Sequence, residues 1–139
     1  MKPFSLLGLL RLRKLQEDRA AASLAVARRS QRDTAARIAH AHARLASVDA
    51  TVATSDELFA IAATRSSSAS MLADLVQLER RQADEVDVLA DRHAETVRAS
   101  RSIEKLEERH AVERAAAELA GEQRVLDELA LRRTPEADA

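Results

Sequence analysis

Leu10, Leu24, Ile38, Leu45, Val52 and Phe59 share one phase of a seven-residue repeat, with Glu17 and Gln31 as polar interruptions. Three residues on stand Ala20, Ala27, Ala41, Val48 and Ala62. Large residues on one row and small ones on the next make an a/d seam, and the small row lets a partner helix approach closely. The pattern predicts a long amphipathic helix that needs a second helix to cover it.

The stretch TRSSSAS, residues 64–70, is the richest cluster of helix-indifferent residues near the middle of the chain. Serine favours caps and turns because its hydroxyl competes for backbone groups. The expected layout is therefore one all-α domain, an antiparallel two-helix coiled-coil hairpin, with helix 1 over about 4–63, a tip at about 64–70, helix 2 over about 71–133 and a disordered tail at 134–139. A tip there sets Leu10 opposite Val125, Leu24 opposite Val112, Ile38 opposite Val97, Leu45 opposite Leu89, Val48 opposite Val86, and Phe59 against Leu75 or Val76. Each arm would be a rod roughly 90 Å long, with both chain ends at one end of it. Thr54-Ser55-Asp56-Glu57 is a capping-box pattern and a second place where a helix could start. In the second half Val86, Leu89 and Ile103 fit one frame while Val112, Leu119 and Leu126 fit another, which predicts local unwinding or mispairing near 104–112.

Composition strengthens the all-helical reading. The 139 residues include 30 alanines and 32% charged residues of both signs, but no Cys, Trp or Tyr and two Phe, too few bulky side chains for a thick globular core. With two glycines, Gly8 and Gly121, far apart, the chain has no phosphate-cradling loop. The lack of Cys excludes thiolate metal sites and fits a reducing compartment. The apolar run Phe4–Leu10 is short for a signal sequence and is followed by arginines, and no segment approaches the roughly twenty apolar residues of a membrane span. These features predict a cytoplasmic chain. A net charge of −1 without a basic face argues against a nucleic-acid partner.

Candidate chemistry is sparse. A two-helix rod has no interior in which carboxylates could be desolvated into an acid and base pair, so no catalysis and no cofactor are expected. The expected register sets His42 opposite His93, a two-ligand arrangement that reads as solvated flank histidines, and no metal site is expected. A dense mixed-charge patch should form where the helix ends meet: Leu10, Arg11, Arg13, Lys14 and Glu17 on one arm, Arg124, Leu126, Asp127, Glu128, Arg132 and Arg133 on the other.

The two ends of the chain, FSLLGLLRLRKLQEDRAAASLAVA at 4–27 and SIEKLEERHAVERAAAELAGEQRVLDELALRR at 102–133, resemble those of the FliJ family, the small coiled-coil stalk of the bacterial flagellar export apparatus. The likeness rests on Phe4, Leu6, Leu9, Leu10, Arg11 and Arg13 at the start. At the end it rests on Glu104, Lys105, Leu106, Glu107 and Arg109, then Gln123, Leu126, Asp127, Glu128 and Arg132. It implies a non-enzymatic stalk whose paired ends engage and activate a hexameric export ATPase, placing it at the inner face of the cell membrane. The other implied partners are the cytoplasmic domain of the large export-gate subunit and export chaperones. The implied ATPase-docking residues are the patch at the helix ends. The implied gate contact falls on Met71, Leu72, Leu75 and Leu78, without the aromatic residue that the family usually has near the start of its second helix. Two other readings compete: a stalk of a related type III secretion system, and a membrane-surface protein using residues 1–15 as an amphipathic helix.

Overall fold

The computed structural model describes residues 6–48, 51 and 54–133. It is an all-α helical hairpin: α1 (Leu6–Ala46) and α2 (Ser55–Arg133) pack against each other, with no strand among the described residues. Pro3, Phe4, Val52, Pro135 and the expected tail at 134–139 lie outside the described residues.

The expected tip at 64–70 is not a turn: those residues lie inside α2. The threonine and four serines of this stretch cost only a few tenths of a kcal/mol each in a helix interior, and their hydroxyls can be satisfied there. Thr64 Oγ1 donates to the Ala60 carbonyl at 2.9 Å. The connection lies between Ala46 and Ser55, where specific end signals exist. The Ser47 amide donates to the carbonyls of Ala43 and Arg44 at 3.1 and 3.2 Å, and Ser47 Oγ donates to that of Arg44 at 2.8 Å, which satisfies the end of α1. At the start of α2 the Glu57 amide donates to Thr54 Oγ1 at 3.3 Å, and the Thr54 amide donates to Glu57 Oε2 at 3.1 Å. This reciprocal capping box satisfies two orphan donors, with Asp56 and Glu57 in the first turn facing the positive end of the helix dipole. Thr54→Ala should destabilise the hairpin by about 1 kcal/mol in urea melts, and Thr54→Ser should restore most of that loss.

Moving the turn moves the register. Gln82 Nε2 donates to Ser30 Oγ at 3.1 Å, whereas a tip at 64–70 would set Ser30 beside Lys105. Lys14 Nζ lies 2.7 Å from Glu104 Oε1, whereas the expected neighbour was Gly121. The pairs from Leu10–Val125 to Phe59–Leu75 are therefore not formed: Phe59 is 74% exposed, Val112 69% and Val125 58%.

The chain divides into two packing units, residues 16–96 and residues 1–15 with 97–139. In the first, α1 buries Ala20, Leu24, Ala27 and Thr34, with Gln31, Ile38, Ala41, Leu45 and Val48 half-buried. This is the seven-residue seam read from the sequence, and it ends at the turn. Leu72 and Leu75 are the buried apolar residues of α2 in this unit, and Val86 and Leu89 are half-buried. In the second unit Leu6, Leu9, Leu10 and Arg13 are half-buried on α1, and on α2 Ser100 is wholly buried while Val97, Ile103, Glu104 and Glu107 are half-buried. α2 is unbroken through 104–112, so the expected unwinding there is absent.

Candidate functional site

No helix is long and apolar enough to cross a membrane among the described residues. Those residues also contain no group of three or more His, Asp or Glu side chains able to hold a metal ion. His42 and His93 do not face each other. His40 and Ala41 border the same cleft as Ser68 and Met71, so the neighbouring His42 sits at that level of α2, far from His93. His42 and His110 are exposed, and His110 Nδ1 lies 3.9 Å from Glu113 Oε2.

Near the turn, Arg37, His40 and Arg44 of α1 and Thr64 and Ser68 of α2 border a cleft of about 240 Å³, floored by Ala41, Leu45, Val48, Met71 and Leu75. Pockets that enclose a small molecule begin at roughly 300 Å³, so this cleft suits a side chain better than a cofactor. Of the residues suggested for an export-gate contact, Leu72 and Leu75 are buried in the helix seam and Leu78 is half-buried. They are held by the hairpin itself because they fall on its seven-residue seam. Met71 remains half-exposed, and the first two turns of α2 add Leu58 and Phe59, 55% and 74% exposed. The sequence reading passed over Phe59 because it assigned that residue to the seam of helix 1.

The mixed-charge patch expected at the meeting of the helix ends is divided. Leu10, Arg11, Arg13 and Lys14 belong to the part of α1 that packs in one unit with α2 from Val97 onward, and the Lys14–Glu104 pair fixes their level. Arg124, Leu126, Asp127, Glu128 and Arg132 stand roughly 25 to 38 Å further along α2 than Glu107, the last half-buried residue. Glu17 is half-buried on the adjoining part of α1. Arg132 Nη2 is bonded to Glu128 Oε1 at 2.8 Å, one turn apart on an exposed face, a pair worth at most about 0.5 kcal/mol.

What the structure adds is the length of α2 without a cover. Every residue from Glu108 to Arg133 is exposed, a helical end of roughly 40 Å. Val112, Leu119, Leu126 and Leu129 on it are 69%, 66%, 64% and 53% exposed, and Leu126, Leu129, Ala130 and Arg133 border a shallow depression. Contiguous exposed apolar surface on a helix marks a docking face more often than a solvated one. No family model, curated protein or solved structure matches the chain.

Proposed function

We propose that this chain is a non-enzymatic stalk or adaptor of the FliJ type in the bacterial flagellar export apparatus, acting at the inner face of the cell membrane. The observation that carries the proposal is the end of α2 from Glu108 to Arg133, helical and exposed throughout. A helix held out from its own hairpin is suited to insertion into a ring-shaped partner, and the resemblance of its sequence to FliJ makes that partner the hexameric export ATPase. Arg124, Leu126, Asp127, Glu128 and Arg132 would make the main contact. Arg11, Arg13 and Lys14, lower on the same unit, would meet the rim.

The gate contact shifts with the turn. Because α2 starts at Ser55, exposed Phe59 supplies an aromatic residue near the start of the second helix, beside Leu58. These residues and Met71 replace the buried Leu72 and Leu75 as the proposed contact with the export-gate domain.

The test is calorimetric binding of the full chain to the purified export ATPase, with hydrolysis followed on the same samples. Wild type should bind and raise hydrolysis. Reversing charge at Arg124, Asp127, Glu128 and Arg132 together should weaken binding at least roughly tenfold with the circular dichroism unchanged, since exposed charges add little to stability. Phe59→Ala should leave ATPase binding intact and weaken binding to the gate domain. Absence of ATPase binding by wild type would reject the export reading, and binding to the ATPase of a virulence-type system instead would move it to that apparatus.

A further inference from the structure

α2 changes the side on which it is apolar. In the unit made by residues 1–15 and 97–139, the side of α2 turned to α1 carries buried Ser100 and half-buried Glu107, seven residues apart. Continued at that spacing, the same side runs through Arg114, Gly121 and Glu128, none of which is a large apolar residue. Val125 lies on that side, eighteen residues beyond Glu107, but Val112, Leu119 and Leu126 stand elsewhere. Val112 is five residues beyond Glu107, about 140° around the helix, and Leu119 and Leu126 repeat its position. Ala116, Gln123 and Ala130, each four residues further on, complete a stripe three heptads long. Because α2 is continuous here, the shift of frame is a change of face. The stripe is not an uncovered continuation of the hairpin seam but a second seam aimed in another direction.

Its borders have one sign. Glu113 and Asp127 stand along one edge and Glu122 along the other, all exposed. Arg114 and Arg124, the cations between Glu113 and Glu128, fall further round the helix, as does Glu118. A second copy of the chain, laid parallel or antiparallel on this stripe, would bring carboxylates against carboxylates at its edges, which opposes pairing. A helix with basic borders meets them with opposite charge while covering Leu119 and Leu126.

We propose that the second seam of α2, from Val112 to Ala130, docks an amphipathic helix of a partner protein whose apolar stripe is bordered by Lys and Arg. The inference stands on the uncovered face and its charge, and holds whichever apparatus the hairpin serves.

The probes are two synthetic peptides of about 21 residues with the same Leu and Ala stripe, one bordered by Lys and one by Glu, titrated against the full chain by calorimetry. The Lys-bordered peptide should bind at least roughly tenfold more tightly than the Glu-bordered one, and less tightly as salt is raised. Leu119→Ser with Leu126→Ser should abolish that binding. Replacing Glu113, Glu122 and Asp127 together by Lys should reverse the preference between the peptides. All five positions are exposed, and circular dichroism on each variant verifies that the helix is retained. Equal binding of the two peptides overturns the proposal. So does Lys-peptide binding that survives loss of Leu119 and Leu126, which would mean diffuse charge attraction elsewhere. A concentration-dependent dimer in sedimentation that disappears with those two leucines would overturn it as well, by making a second copy the occupant.

Discussion

Ser67→Pro should destabilise the hairpin by about 3 kcal/mol or more, the largest effect expected from any exposed position. Ser67 lies in the interior of α2, about three turns from its start, and its side chain is exposed, so nothing is lost from the core by replacing it. The cost arises in the backbone. Proline deletes the amide that bonds the carbonyl one turn earlier, and its ring collides with that carbonyl. Leu72 and Leu75, which follow directly, would lose their alignment with α1 as the helix kinked. Thr51→Pro is the comparison, because Thr51 is non-helical and exposed, and a change there should stay within about 1 kcal/mol. Thermal melts followed at the helical circular-dichroism band would show Ser67→Pro lowered by on the order of 10 °C and Thr51→Pro near wild type. The opposite order, with Ser67→Pro tolerated, would return the turn to residues 64–70.

The misplaced turn shows what a helical pattern does and does not specify. The seven-residue row from Leu10 to Leu45 identified the buried side of α1 correctly, because burial on a helix follows its own periodicity: Leu24 and the alanines at 20 and 27 are buried where the pattern puts them. What lies opposite that side does not follow from its periodicity. Register in a hairpin is set by the turn, and a turn placed on the serine cluster assigned Val112 and Val125 to α1 as partners. Val112 belongs to the other seam, and Val125 is exposed beyond the part of α2 that α1 covers. A serine cluster looked more like a break than Thr54-Ser55-Asp56-Glu57 did, yet only the latter carries reciprocal hydrogen bonds that stabilise a helix start. Serines without such a partner lower helix propensity slightly and go no further. The frame change near residue 107 was also visible in the sequence. It was read as a fault in one seam, whereas a helix that stays intact while its apolar row jumps five positions carries two.

The position of the turn also decides which apolar residues of α2 face outward. Leu72 and Leu75 form a row with Val86 and Leu89 on the side of α2 that meets α1, so their conspicuous hydrophobicity reflects packing. An exposed Phe59 in the second turn of a helix has no packing role to explain it, and it became visible only when the helix start was fixed.

Leu24→Ala and Leu75→Ala should each cost about 2–3 kcal/mol, the lower part of the usual range for a buried leucine. The core they serve is one seam deep. Leu24 is 6% exposed and Leu75 8%, but other residues of the seam, Ile38, Leu45 and Val86, are only half-buried, so water and shifting side chains reach a vacated space there more readily than in a globule. Even so, a hairpin with Ala20, Leu24, Ala27, Leu72 and Leu75 as its fully buried apolar residues has little to spare, and either substitution removes a large share of its stability. Val112→Ala and Phe59→Ala remove comparable or larger side chains at 69% and 74% exposure and should change urea midpoints by no more than about 0.5 kcal/mol. A double-mutant cycle between Leu24 and Val112 decides the register directly. Because Val112 is 69% exposed, the two effects should add within about 0.5 kcal/mol, whereas partners across a seam would show coupling above that. Coupling between Leu24 and Val112, with a matching loss at Phe59, would put the end of α2 back against α1 and remove the uncovered face on which the docking proposals rest.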